Sequence, residues 1–589
     1  MRPVFNRAPL VPNESALPSI GRIRPEGWLG EGAKNALSAL KSVERAVSKR
    51  DTDAGVCAFY RDLELLSGVL SDAEGMKSVA GFISRIIKTR REDGFFGPEA
   101  KGDLTAQFEC LNLLYEYFTC TSDKAVLGII DGFLRWEYLN LRNNPLRGES
   151  VYRGGENIYV ALKMYNLSGQ KYLTELCAIL REQTFDWVSE FNTFPQIRPI
   201  SQVMAWEDMK KGLEAEKARG GGNCTSLFRR AHGKNVAMAL KTPALLGLLR
   251  PGFRETQAFG AGWSRLMRLH GALNGMFTCD DLLDGARDAG TLSEAAAEAL
   301  WSLDVLGELD EGNREIAPSF EKIACNMLPA MFSRDGKAAQ RIQKGNQTSA
   351  SAGGEEFYNA SPADSGFASV DDDMFALNGI ARGWAFAARG LWCHTADGGL
   401  KAASYFPCQL AAAIDKVKTR IRVSGGYPFA DEVVIGISAE REVEFPLYLS
   451  VPSWAENPVI CLPGGEIMAV KAGETTCLRQ KWDKSGEIRL ELNTRARPRP
   501  FPGGLMGVMY GPVIMALEPQ AENDGQNLRL PADAPTKTLG DNGAGRIPET
   551  LVKLKNESNE QVTRTLVPYA FTEKRICAFA QARTEENDA

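Results

Sequence analysis

Along the chain the spacing of apolar residues changes once, near residue 400. Before that point ALSALKSVERAVSKR, CAFYRDLELLSGVL, VAGFISRIIKTRR, FECLNLLYEYFTC and AVLGIIDGFLRWEYLNL place apolar groups at i, i+3, i+4 and i+7. That period predicts amphipathic helices, each with one face turned to a core. Short breaks such as EDGFFGPEAKGD and RNNPLRGES separate them. A long succession of helical hairpins without strands predicts an α-solenoid or a closed helical toroid. After residue 401 the pattern becomes short alternating runs, TRIRVSG, EVVIGIS, VEFPLYLSVP, IRLELN, LMGVMYGPVIMAL and RICAFAQAR, divided by turns such as SGGYPFAD and LPGGE. Alternation with period two predicts an antiparallel β-sandwich. The expected layout is a helical domain over 16–400 and a strand-rich region over 401–589, with residues 1–15 lying extended against the sandwich. Residues 519–548 are polar and read as loop.

Length and charge narrow the partners. A chain of 589 residues exceeds what one core usually serves, so at least two domains are expected. The net charge is −5 and no basic tract occurs, which argues against nucleic acid and anionic membrane as partners. The first residues, MRPVFNRAPLVPNES, lack the apolar core of an export signal, and no apolar stretch is long enough to span a bilayer. A soluble cytoplasmic protein is expected, with an exported location left open. The twelve cysteines, from Cys57 to Cys577, include no C-x-x-C pair. They read as small buried residues in a reducing compartment, and neither a disulfide framework nor a metal site is signalled. No phosphate-cradling loop, Ser-His-Asp order or dinucleotide fingerprint appears.

Several segments carry more specific information. RGGENIYVALKMYNLSGQKYLTEL with QTFDW (153–187), AHGKNVAMALKTPAL (231–245) and HGALNGMFTCDD (270–281) follow one another in order. Next come WSLDVLGELDEGN, FEKIACNMLPAMFSRDGKA, GWAFAARGLWCHTADGGLKAASYFPC, YPFADEV, EFPLYLSVPSW, QKWDKSGEIRLEL and MYGPVIMALEP. Taken together, from about residue 150 to the end, they resemble glycoside hydrolase family 127, the β-L-arabinofuranosidase family. The resemblance implies an (α/α)6 toroid followed by an antiparallel β-sandwich, with an exo-acting site in the toroid mouth. It also implies a furanose or similarly small terminal sugar as substrate. In that family a cysteine thiolate, held with zinc by a Glu and two further Cys, is the nucleophile. Its motifs are Glu-x-Cys on a helix and a Cys-Cys pair before Gly-Trp.

This chain departs from the family there. Aligned on Ser302-Leu303, the Glu-x-Cys positions are Leu292 and Glu294. Aligned on Gly383-Trp384, the Cys-Cys pair is Phe375-Ala376. Such a set cannot form a zinc thiolate site, and Cys279, Cys325 and Cys393 do not fall in the pattern. No metal or cofactor is therefore expected.

Acidic residues become the candidate chemistry. Glu294 stands at the cysteine position and keeps a nucleophile-capable side chain. Asp280 and Asp281 stand where the family has Asp-Glu, with helix capping as their alternative role. Glu298 lies one turn from Glu294 and would share its face, though both could be surface acids. A carboxylate pair could act as nucleophile or base and as acid, its separation setting retention or inversion. On the substrate side the motifs point to His232, Arg153, Glu156 and Asn157, and to Trp384 as a stacking platform, with capping or core packing as the alternatives. Asp371, Asp372 and Asp373 are a weaker acidic candidate. Asn235, His270 and His394 read as structural. The charged, glycine-ended stretch 206–224 reads as a flap or partner surface near the pocket.

The reading with most support is a metal-free, carboxylate-dependent glycosidase acting on a terminal arabinofuranose-like or other small or acidic sugar of a glycan, with a homodimer as an optional assembly. The alternatives are a non-catalytic glycan-binding homologue, or a toroid-fold lyase or epimerase.

Overall fold

The computed structural model describes residues 3–98, 102–219, 223–285, 289–310, 312–333, 335–349, 357–369, 377–482, 485–520, 525, 527–539 and 548–582. Six inner helical stations form a ring. They are Ala54–Leu70, Thr105–Thr121, Gly154–Ser168, the tandem Gly233–Ala239 and Thr242–Leu249, Ser293–Leu309, and Arg382–Arg389. Each packs on the next, and Arg382–Arg389 closes the ring onto Ala54–Leu70. These helices are buried almost all round. An outer layer covers them, including Gly27–Val47, Ala73–Lys88, Ala125–Asn140, Tyr172–Gln183, Phe253–His270 and Ile316–Lys322, most of which bury one face only. This is the expected helical toroid, and the two layers explain why the amphipathic pattern is sharper in outer helices than in inner ones.

The toroid axis is filled with paired charges rather than hydrocarbon alone. Arg382 has no exposed surface and binds Asp62 at 2.5 Å, Glu298 at 3.1 Å and Glu109 at 3.2 Å. Arg61 pairs with Glu109 and Glu116 and lies over the Trp301 ring at 4.0 Å. Lys241 pairs with Glu156 at 2.5 Å and covers the same Trp301 ring. Further along the axis Arg389 binds Asp304, and Lys163 binds Glu308. Buried charges need such partners, since each one left alone would cost several kcal/mol.

The strand region begins at Trp392. A five-stranded sheet is ordered Ser15–Ala16, Trp392–Thr395, Leu400–Ala402, Val443–Ser450, Thr475–Trp482. It accompanies a seven-stranded sheet whose last members are Val417–Ser424, Cys408–Ile414 and Ile23–Pro25. Val417–Ser424 alternates buried and exposed positions as its sequence predicts. Beyond the sandwich a further sheet closes on itself, because Leu505–Tyr510 pairs with both Val513–Ala516 and Ala578–Gln581. Two expectations are corrected here. Residues 6–13 do not lie on the sandwich: Arg7 and Ala8 are held by Asn166 and Tyr165, and Val11 bonds to Leu248, all in the helical region. Strand pairing of the N-terminal arm comes instead from Ser15–Ala16 and Ile23–Pro25. Within 519–548, Arg529–Leu530 and Thr536–Leu539 are strands, not loop.

The helical and strand regions are joined by buried polar side chains. Glu321 accepts hydrogen bonds from Ser404 and Tyr427. Asn326 donates to the carbonyl of Pro512 and accepts from the amide of Ile514. Among the described residues no helix is long and apolar enough to cross a membrane.

Candidate active site

Three chain segments are laced together at the toroid mouth. The amide of Gly233 donates to the Asp281 carbonyl at 2.7 Å, and that of Leu283 to the Ala231 carbonyl at 3.0 Å, so 231–233 and 281–283 run side by side. His232 and Asp281 are thereby neighbours, with Nε2 and Oδ1 4.0 Å apart. Thr291–Leu292 pairs with Ile342–Gln343, and the Ser293 amide bonds to the Arg341 carbonyl. This brings Arg341 beside the first turn of Ser293–Leu309, where Glu294 sits.

The side chains then form a connected polar wall. Lys234 Nζ donates to Glu294 Oε2 at 2.8 Å. Arg341 donates to Asp281 at 2.7 Å and also pairs with Asp364. Asn359 bridges the adjacent acids: its amide NH donates to Asp280 and its side chain to Asp281. On the facing side Glu149 binds Arg229 and Asn235, and Asn235 accepts from Arg153. Aromatic rings edge the opening: Phe228 meets the His232 ring edge-on at 5.7 Å, and Trp206 lies near both Phe228 and Tyr358.

Glu294 is deep yet solvent-accessible, with 25% of its side chain exposed. Burial pushes its carboxyl up, but Lys234, then Arg341 and His232, outweigh burial and hold it below the ordinary glutamate value. It is thus an ionised carboxylate in contact with solvent. His232 moves the other way: burial lowers it more than Asp281, Glu149 and Glu294 raise it, so the imidazole is neutral at neutral pH. Its Nδ1 accepts from the Lys234 amide, which assigns the ring proton to Nε2, on the side of Asp281 and the pocket. Asp280 is fully buried and is pushed up to about 7 by burial and by neighbouring Asp284. Among the described residues its Oδ1 has no hydrogen-bond partner. Asp281 adopts φ 95°, a region costly for any residue but glycine. Strain of about 1–3 kcal/mol persists only where surroundings enforce it, and here the Gly233, Arg341 and Asn359 contacts do so.

The sequence-predicted residues therefore divide. Glu294, Asp281, His232 and Arg153 come together at the mouth, and Asp280 lies buried directly behind Asp281. Glu298 is corrected: it has no exposed surface and belongs to the Arg382 cluster, one turn further down the axis than Glu294. Glu156 and Asn157 are corrected likewise, being buried against Lys241 and Glu137. Trp384 is not a sugar platform. It is 3% exposed and packs edge-on to Trp28 over Gly32, where a Cβ would fall 2.0 Å from its ring. Among the described residues, Trp206, Phe228 and Tyr358 are aromatic side chains grouped beside His232. Asp371, Asp372, Asp373, Phe375 and Ala376 lie outside the described residues. Lys234, Arg341, Asn359, Glu149, Phe228 and Tyr358 were missed. Only Lys234, inside the quoted AHGKNVAMAL run, and Trp206, opening the 206–224 stretch, carried any signal.

Residues 399–494 match the model of the β-L-arabinofuranosidase GH127 middle domain. This segment is similar to that domain. A solved structure described as a glycoside hydrolase superposes with a TM-score of 0.75 at 13% identity, covering 99% of this chain and all of that one. The GH127 β-L-arabinofuranosidase of Geobacillus stearothermophilus T6 gives 0.66 at 14% identity, over 95% and 100% of the two chains. A second GH127 β-arabinofuranosidase gives 0.65 at 12% identity, over 97% and 98%. No curated protein sequence matches the chain. At these identities the structural likeness establishes the fold: a GH127-like toroid and sandwich.

The zinc site that the GH127 resemblance implies does not fit the residues present. Leu292 is buried and apolar, and Glu294 is occupied by Lys234. Cys279 lies under Gly233, Cys325 beside the Pro512 carbonyl and Cys393 in a sandwich strand, so these thiols do not converge. Among the described residues no group of three or more His, Cys, Asp or Glu is arranged to hold a metal.

Proposed function

We propose that this GH127-like protein is a glycoside hydrolase releasing a terminal sugar, arabinofuranose-like or another small or acidic sugar, by a carboxylate mechanism that uses no metal. The observation that carries the reading is Glu294: an ionised carboxylate, 25% exposed, at the position where the resemblance puts the family's thiolate. In this role Glu294 attacks the anomeric carbon or activates water for the attack. The proton for the leaving oxygen is assigned to Asp281, held in a strained backbone on the same wall and backed by the buried Asp280, whose carboxyl is pushed up to about 7. His232 Nε2–H and Arg153 orient sugar hydroxyls, and the Trp206, Phe228 and Tyr358 rings provide apolar faces for the sugar ring.

A second reading, a glycan-binding homologue without turnover, has one observation in its favour. Glu294, Asp281 and Glu149 each carry a cationic partner, Lys234, Arg341 and Arg229 respectively. Hydrolysis of a panel of aryl furanosides, aryl pyranosides and pectin-derived oligosaccharides, with and without chelator, separates the two. Chelator-resistant sugar release that falls at least a hundredfold in Glu294→Gln, about the contribution of a positioned acid or base, supports the hydrolase. Saturable sugar binding with no turnover on any substrate transfers the conclusion to the binding protein. Activity lost to chelator overturns the metal-free mechanism.

A further inference from the structure

A polar cleft that shares no lining residue with the toroid mouth lies on the closed C-terminal sheet. The strand Ala496–Phe501 and the residue before it read Arg495-Ala496-Arg497-Pro498-Arg499-Pro500. Alternate strand residues share a face and stand about 6.6 Å apart, so the three arginines form one row. Ala496, between the first two, is buried, and all three arginines are exposed. Facing the row, residues Ala532–Ala534 with Thr536 and Thr538 complete a cleft of about 520 Å³. The wall is fixed by Thr536, whose hydroxyl donates to the Ala496 carbonyl at 2.5 Å.

The positive charge of this row is only partly neutralised by the protein. Arg497 pairs with Glu456 at 2.5 Å, and Arg495 stands 3.7 Å from the same carboxylate, so one acid serves two cations. Arg499 has no ion-pair partner among the described residues. Among the described residues Asp533 is the one acid lining the cleft. Pro498 and Pro500 lack the N–H groups another strand would need, so the edge is unsuited to strand addition and presents its side chains instead. Three arginines are few for a nucleic acid, and no ring lines the cleft for base stacking. Arginine forks suit planar carboxylates, and threonine hydroxyls suit sugar hydroxyls.

We propose that this cleft binds a carboxylate-bearing saccharide, a short run of uronate units, with Arg499 and Arg497 on the carboxylates and Thr538 on the sugar hydroxyls. It would hold an acidic glycan on the C-terminal sheet, independently of the chemistry at Glu294.

The test titrates trigalacturonate calorimetrically into the full chain, with maltotriose and a short single-stranded DNA as comparison probes. Wild type binds trigalacturonate and not maltotriose. Arg499→Ala and Arg497→Ala, both at exposed positions, each weaken binding about tenfold or more, as expected for losing a hydrogen bond to a charged group, while Glu294→Gln leaves it unchanged. The proposal is overturned if wild type does not bind, if the arginine variants bind as wild type does, if binding is lost in Glu294→Gln instead, or if the DNA binds as tightly as the uronate.

Discussion

Glu321→Gln probes the seam between the toroid and the sandwich through the pH dependence of stability. Glu321 is 5% exposed, near the end of Ile316–Lys322. Its Oε1 accepts from the Ser404 hydroxyl at 2.6 Å and the Tyr427 hydroxyl at 2.7 Å, both on the strand side. Burial pushes the carboxyl up from 4.5 to about 7, against the pull of those two donors. In the unfolded chain the group ionises near 4.5, so between 4.5 and about 7 the native state holds a proton that the unfolded state has released. Stability therefore falls as pH rises through that window, and the loss is complete above about 7. At roughly 1.4 kcal/mol per decade the gap amounts to about 3 kcal/mol. Glutamine cannot ionise, and its amide oxygen keeps both hydroxyl donors. Urea unfolding followed by tryptophan fluorescence across a pH series is the assay. Near pH 4 the two proteins should match, and at about pH 8 the glutamine variant should be more stable by up to about 3 kcal/mol. Parallel pH profiles, or a glutamine variant that is less stable throughout, would refute the assignment of a buried protonated carboxyl at this seam.

Arg382→Ala leaves Asp62, Glu109 and Glu298 without their shared cation and should cost about 3–5 kcal/mol, the range for breaking a buried charge network; an unchanged urea midpoint would show that the carboxylates re-pair or take up protons. Arg341→Ala removes the Asp281 anchor at 2.7 Å and should lower kcat about a hundredfold, the scale of a misplacement near 1 Å, with KM little changed. A change confined to KM would make Arg341 a binding group only. The losses expected for Glu294→Gln at the mouth and for Arg499→Ala at the C-terminal cleft should be independent, since the two sites share no residue.

Apolar spacing alone determined the division of this chain into helices and then strands. Helical and strand periods are local properties, and the segments from Ala36 to Leu141 and from Thr419 to Asn493 carry them plainly. His232 and Asp281 were singled out because they lie in runs that resemble a family pattern, and Glu294 because it stands where the chain departs from that pattern; the fold brings the three side chains together. Tertiary structure decided the rest. Glu294 and Glu298 are one turn apart with the same side-chain chemistry, yet one faces water beside Lys234 and the other is sealed against Arg382. The difference arises from depth along the toroid axis, which no sequence period encodes. Trp384 was ambiguous for the same reason: a large ring serves a sugar or a core equally well until Gly32 and Trp28 are seen around it. Arg341 and Asn359 lie 60 and 78 residues from Asp281 and carry no motif. Only the folding of their segments over the mouth turns them into its anchors, because hydrogen bonds depend on distance in space and not on separation along the chain.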